Sequence, residues 1–364
     1  MAKILILTTP EGHLSIAQAI NEALQEKHTT TFHSIRDSVL DLYTPIYQFF
    51  PSMFRVPYEF SQRSSIVSAI SRFLKRKLLK KVDLLVKQSR PDLIICSNWI
   101  FLPALESLQE TNHIPLLNVI SDPWTVHPSL ISQKAACNMV FDQHQLETCQ
   151  LINPRAKFAI TGWFTRQAFY RSPSGKRLQT KLKLNPHHPT VLIAGGSEGT
   201  LMILKLVPAL VQLKQPLNIL VLCGNNQHLV RGIKSIMRLL KVVNGHSLIV
   251  PVGYTTRVEE YVALADIVMG KAGPNTIFES VAVQKPFIAI THITGQEDGN
   301  LDLITTHQLG FVEENALKVE KLLQDLLSHP EKLTVLEKPI ATMAAFNQQA
   351  THRLLGIVDK TLKG

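Results

Sequence analysis

Cysteine is scarce in this chain, and what there is lies scattered. Cys96, Cys137, Cys149 and Cys223 form no Cys-x-x-Cys pair, which argues against a disulfide framework or a zinc site and for reduced thiols in a cytosolic protein. No apolar run reaches the roughly 20 residues that span a bilayer. Residues 2–8 are apolar only briefly before Pro10, too short for a signal peptide, and read as the first strand of the fold. Any membrane contact is therefore expected to be peripheral. Internal repeats of short period and low-complexity tracts are also missing. Acids are outnumbered, 28 Asp and Glu against 38 Lys and Arg, for a net charge of +10. That excess fits a membrane surface, a nucleotide or a nucleic acid without choosing among them.

What is present is an ordinary globular composition: 364 residues, 45% apolar, enough for two domains with a core each and not for disorder. Strand-like runs alternate with helical patterns throughout, the mark of parallel sheets with crossover helices. In the first half the strands are expected at 3–8, 30–34, 92–96, 116–120, 139–141 and 158–161. Ile16, Ile20, Ala23 and Leu24 mark a first helix. Residues 166–189, rich in Pro, Ser and His, read as a linker. The second half restarts at Thr190, with further strands at 218–223, 247–251, 266–269 and 287–291. Two Rossmann-like halves with a cleft between them fit this order better than one large sheet, and ligands of such sheets lie at the carboxyl ends of the strands.

The run Gly270-Lys271-Ala272-Gly273-Pro274-Asn275-Thr276-Ile277-Phe278-Glu279 carries the most chemistry. Its glycines permit a tight turn after a short buried strand, and Pro274 pre-sets the first turn of a helix. Backbone N–H groups at that helix start, with Thr276 beside them, form a diphosphate site that needs no basic side chain. Glu279, one turn along, is spaced to accept from ribose hydroxyls. Gly295-Gln296-Glu297-Asp298-Gly299-Asn300 follows the next strand, where Gln296 and Glu297 are placed to bind sugar hydroxyls and Asn300 opens a helix; a plain polar loop with a cap is the bland alternative.

On these two motifs the sequence resembles the monogalactosyldiacylglycerol synthases and processive diacylglycerol glucosyltransferases, which are related to the N-acetylglucosaminyl transferase of peptidoglycan synthesis. The resemblance is strongest from about Thr190 to Val312. It implies an α/β protein of the GT-B fold, two Rossmann-like domains facing each other across a cleft, with an inverting activity at a membrane surface. The expected layout is an acceptor and membrane-facing domain over residues 1–165, the linker 166–189, a UDP-sugar domain over 190–345, and a last segment, 346–364, packing back on the first domain.

Other positions gain meaning beside it. Gly196 and Ser197, in the glycine-rich turn after the strand at Thr190, are assigned to the donor side, although many such turns only connect. Gly253 and Tyr254 exit another strand where a base can stack; the resemblance places uracil there, against an ordinary surface tyrosine. Lys271, Gly273, Pro274, Asn275 and Thr276 complete the donor set with Glu279.

On the acceptor side, His13 follows the first strand, and an imidazole there can take the proton of an attacking hydroxyl. Thr9-Pro10-Glu11 stands where the family has more glycines. Asp122, in Ser121-Asp122-Pro123-Trp124-Thr125-Val126-His127, resembles the family's Asp-x-x-x-x-His stretch and is expected to orient His13, serve as base itself, or bind the acceptor head; an Asx turn with Trp124 as packing anchor is the plainer reading.

No metal site is expected from His13, Asp122 and His127, no Asp-x-Asp pair suggests a metal bridge, and no cofactor is expected beyond the UDP-sugar co-substrate. Residues 47–87 hold Phe49, Phe50, Met53, Phe54, Tyr58 and Phe60, followed by Arg72, Lys75, Arg76, Lys77, Lys80, Lys81 and Lys87. This is the expected contact with an anionic membrane, unless the segment is core-packed with a solvated cationic face. The expected partners are a UDP-hexose and a lipid acceptor, most simply diacylglycerol, with no nucleic acid; the expected location is cytoplasmic, on the inner face of the cell membrane. A UDP-sugar epimerase or a catalytically silent nucleotide-binding protein are the rivals.

Overall fold

The computed structural model describes residues 1–10, 12–36, 54–171, 175–195, 202–211, 213–242 and 247–363. The chain forms two compact units. One comprises Met1–Arg166, Ile293–Gly299 and Phe346–Gly364; the other comprises Gln167–His292 and Asn300–Ala345. The loop 293–299, which the sequence reading placed in the second half, thus belongs to unit 1.

Unit 1 is built on six strands: β1 (Lys3–Thr8), β2 (Thr29–Ser34), β3 (Leu93–Cys96), β4 (Leu116–Val119), β5 (Cys137–Val140) and β6 (Phe158–Ile160). They are ordered β2-β1-β3-β4-β5-β6 and pair in parallel throughout. Strands β3, β4 and β5 are buried along their whole length, as befits parallel strands covered on both faces.

Helix α1 (Gly12–Leu24) follows β1 and buries Ile16, Ile20, Ala23 and Leu24. A short α2 (Arg55–Ser61) leads into α3 (Ser64–Ser89). In α3, Leu74, Leu78, Val82 and Val86 recur every four residues and enter the core with Leu5, Leu7 and Phe101. Each such side chain contributes about 1.5–3 kcal/mol by leaving water. The C-terminal helix Ala350–Leu362 is tied to unit 1 by Arg353 Nη1, which donates to the Thr161 carbonyl at 2.8 Å, and the preceding Asn347 accepts from Trp163 N–H at 2.9 Å.

Unit 2 carries β7 (Thr190–Ala194), β8 (Asn218–Gly224), β9 (Leu248–Gly253), β10 (Ile267–Lys271), β11 (Phe287–Thr291) and β12 (Gly310–Val312), ordered β12-β11-β10-β7-β8-β9. Counted from β7, this is the 3-2-1-4-5-6 order of dinucleotide-binding sheets, again all parallel. Three helices matter below: α4 (Gln227–Val242), α5 (Pro274–Ala282) and α6 (Asp298–Thr306). The sequence reading did not include β12, a three-residue edge strand, and began β5 two residues late. Asn138 hides β5 from a hydrophobicity reading: it is fully buried, and its polar atoms are satisfied by Asn118, Ser132 and Lys157.

Candidate functional site

In each sheet the strand order reverses once, and the loops flanking that reversal splay apart to leave a crevice for a ligand. In unit 1 the reversal lies between β1 and β3. The two strand ends are stapled there: Ser97 Oγ donates to Thr8 Oγ1 at 2.8 Å, and Asn98 Nδ2 donates to Thr9 Oγ1 at 2.8 Å. His13, in the first turn of α1, directs Nδ1 to the Ser97 carbonyl at 2.9 Å.

A carbonyl only accepts, so Nδ1 carries the hydrogen and Nε2 is left with its lone pair. Burial, opposed by that hydrogen bond, lowers the His13 pKa to about 4. The ring is therefore neutral at physiological pH, though a weaker base than an exposed imidazole. Its orienting group is a backbone carbonyl, where the sequence reading had offered Asp122.

Asp122 lies past the end of β4, two strands over from β1 in the same sheet. Its carbonyl accepts from Gln145 Nε2 at 2.6 Å and its carboxylate from Gln296 Nε2 at 3.5 Å. The loop Ile293–Gly299 settles on this turn. Gly299 N–H donates to Thr125 Oγ1 at 2.8 Å, and a Cβ on Gly299 would stand 2.7 Å from the Trp124 carbonyl carbon, so no larger residue fits without movement.

Asp298 holds the loop twice, accepting from Gly295 N–H at 2.8 Å and pairing with Arg55 of α2 at 2.8 Å. Glu297 is buried and accepts from Ile293 N–H at 2.8 Å, closing its own loop. Phe54 and Tyr58, read from sequence as part of an apolar membrane cluster, are instead buried against Ile293. His127 is a strut: Nδ1 accepts from Ser129 N–H at 3.1 Å, which leaves Nε2–H to donate to Ser61 Oγ at 3.0 Å.

In unit 2 the reversal lies between β7 and β10, and the run Gly270–Glu279 sits on it. Gly270 pairs with Ala194, and a Cβ there would meet the Ala194 carbonyl oxygen at 2.4 Å, so the two strands approach only because position 270 has no side chain. Lys271 ends β10 and Gly273 is the N-cap residue of α5. Its backbone is extended, no side chain caps the helix, and Pro274 occupies the first turn.

Asn275, Thr276 and Glu279 share one face of α5 by their spacing of three and four, all half-buried. Asn300, in the first turn of α6, donates from Nδ2 to the Ala272 carbonyl at 2.8 Å, while its buried Oδ1 has no partner. Gly253 ends β9, the outermost strand on the β7 side of the sheet, and Tyr254 follows it with 69% of its surface exposed. Gly196 and Ser197 lie outside the described residues, as do Phe49, Phe50 and Met53.

The structure thus gathers Lys271 to Glu279 with Asn300 at one reversal, sets His13 at the other, and puts Gln296 against Asp122 within unit 1. Ser97 and Arg55 went unnoticed in the sequence because one acts through its backbone and the other through a partner 243 positions away by number (298 − 55). Among the described residues no three His, Cys, Asp or Glu side chains converge as a metal site.

Two parallel sheets of these orders are the halves of a GT-B fold. The crystal structure of Acinetobacter baumannii MurG superposes with a TM-score of 0.64 at 15% identity, covering 99% of this chain and 100% of that one. Anabaena Alr3699/HepE, crystallised in complex with UDP and glucose, gives 0.58 at 14% identity with full coverage of both.

Family profiles then place the chain: the glycosyltransferase family 28 C-terminal domain matches residues 190–354, and the monogalactosyldiacylglycerol (MGDG) synthase family matches residues 13–152. The second half of the chain is thus similar to glycosyltransferase family 28 and the first half to the MGDG synthases. The chain is 27% identical over 269 residues to a probable monogalactosyldiacylglycerol synthase 3, chloroplastic, of Oryza sativa subsp. japonica, covering 67% of this chain and 49% of the relative. It is 24% identical over 269 residues to the processive diacylglycerol beta-glucosyltransferase of Bacillus licheniformis, covering 74% of this chain and 69% of the relative. The chain spans about half the length of the rice relative.

Proposed function

We propose that this protein transfers a hexose, galactose or glucose, from a UDP-sugar to a lipid alcohol, most simply diacylglycerol, with inversion at the anomeric carbon. The reading is carried by α5, whose uncapped first turn sits at the strand-order reversal of a dinucleotide-type sheet. Amide dipoles there disperse the charge of a diphosphate, and Glu279 accepts from the ribose. Gly196, Ser197, Gly253, Tyr254 and Lys271 complete the donor side, and Gln296 reaches the sugar. His13 Nε2 takes the proton of the acceptor hydroxyl. The hydroxyl oxygen bonds to the anomeric carbon, the bond from that carbon to the diphosphate oxygen breaks, and UDP leaves with the electron pair. Asp122 binds the acceptor head.

The diphosphate charge is met by amides, so no metal is required, and turnover survives excess chelator. The acceptor comes from a membrane that the protein touches peripherally on the cytoplasmic side; no helix among the described residues is long and apolar enough to cross one. Val56 and Phe60 of α2 and Phe73 and Leu84 of α3 are more than half exposed, beside Arg72, Arg76 and Lys80, a combination suited to an anionic interface. The test is to supply several UDP-sugars with lipid extracts and to identify products by mass spectrometry. A glycosylated diacylglycerol made by the wild type and lost in His13→Ala supports the reading; UDP-sugar consumed without any lipid product overturns it.

A further inference from the structure

The membrane surface proposed above lies on α2 and α3 of unit 1, yet α4 of unit 2 is also sharply two-faced. Leu229 and Ile233 are buried in the core of that unit, and Val230, Ile236 and Met237 pack partly against it. Arg231, Lys234 and Arg238, spaced by three and four, form one exposed row on the other side. Leu239, next to that row, is 70% exposed.

The 16 residues of the helix include no Asp or Glu, so nothing on it offsets the charge. None of the three cations has a side-chain partner among the described residues. A cationic row left without carboxylates beside an unburied leucine is the composition of an interfacial helix, where the charges meet anionic headgroups and the apolar side chain enters the acyl boundary. A solvated helix face of ordinary composition would carry acids among the bases.

We infer that α4 is a second membrane contact, which binds an anionic phospholipid surface from unit 2. This rests on the peripheral-membrane reading, and α4 adds its own electrostatic and apolar attraction to the surface. It follows that membrane affinity depends on both units and falls steeply with salt.

The test is co-sedimentation of the whole protein, without donor, with vesicles of zwitterionic lipid containing about 30% anionic phospholipid, on the scale at which a surface potential forms. Arg231→Gln/Lys234→Gln/Arg238→Gln should lower the partition coefficient roughly 100-fold, at about fivefold per cation, and Leu239→Ser should lower it severalfold. The triple substitution should not change binding to purely zwitterionic vesicles, and circular dichroism of both variants should match the wild type. If the α4 variants bind as wild type while Arg72→Gln/Arg76→Gln/Lys80→Gln on α3 does not, the inference fails and the single-surface reading stands. If wild type ignores vesicles, both fall. If the α4 triple variant loses binding to duplex DNA but keeps its vesicle affinity, the row serves another polyanion and the inference is overturned.

Discussion

The two strand-order reversals, one per unit, solve different chemical problems with different parts of the chain. In unit 2 the groups proposed to face the ligand are backbone: an uncapped helix start just beyond a glycine whose lack of a side chain lets β10 approach β7. In unit 1 the group proposed to react is a side chain, His13, oriented by the Ser97 carbonyl. Binding a diphosphate needs fixed partial charges, which amides supply at any pH. Taking a proton needs a group that changes protonation state, which only a side chain can be. The division predicts that the two ends respond to different perturbations.

The sharpest separation is His13→Ala. Removing a general base costs roughly a thousandfold in turnover, and His13 belongs to unit 1 while the proposed diphosphate site belongs to unit 2. Transfer to lipid should therefore fall by about that factor in single-turnover assays, while calorimetry should give a UDP affinity within about twofold of wild type. Equal losses of both would show that the two reversals are not chemically independent.

Gly270→Ala probes the other side. With 2.4 Å between the new Cβ and the Ala194 carbonyl oxygen, strands β7 and β10 must part, at a cost of about 1–3 kcal/mol by overpacking. The urea midpoint should drop accordingly and UDP binding with it, because α5 begins four residues beyond the distortion. A smaller third effect belongs to Glu279→Gln: loss of a charged acceptor for the ribose should raise the Michaelis constant for the UDP-sugar about tenfold, with little change in turnover of the bound complex. A change confined to turnover would remove Glu279 from donor binding.

The legible part of this molecule is what periodicity and turn chemistry encode. The strands β1, β7 and β11, the alternation of strand and helix, and the glycine–proline start of α5 were all readable because each rests on local composition. Illegible were the features made by contacts distant in sequence. Cys137 and Asn138 join β5 although Asn138 is polar, because Asn118, Ser132 and Lys157 satisfy it. Phe54 and Tyr58 look like membrane anchors until Ile293 covers them. Gln296 and Glu297 read as equivalent acceptors, yet one carboxylate is buried closing its loop and the amide beside it reaches Asp122. Spacing shows that a loop is polar; only the fold decides which of its groups are consumed in holding it.

The pH dependence is where the comparison predicts the smallest response. An ordinary histidine base would lose activity as pH falls through about 6.5, but burial brings His13 down to about 4, so its neutral form persists well below neutrality. Turnover should be flat from about pH 8 to 5, with the acid limb near 4, and UDP binding through amides should add no limb of its own. Stability should move first. The unfolded ring binds its proton at about 6.5 and the folded one only near 4, so between those values the unfolded state holds more protons and stability declines as pH falls. Burial lowers the His127 pKa as well and acts in the same direction. Urea denaturation of wild type at pH 7 and pH 5 should show the decline, and His13→Gln should reduce it. An activity limb near 6.5 would mean that the imbalance built by burial does not reach the reacting nitrogen, and that some other group takes the proton.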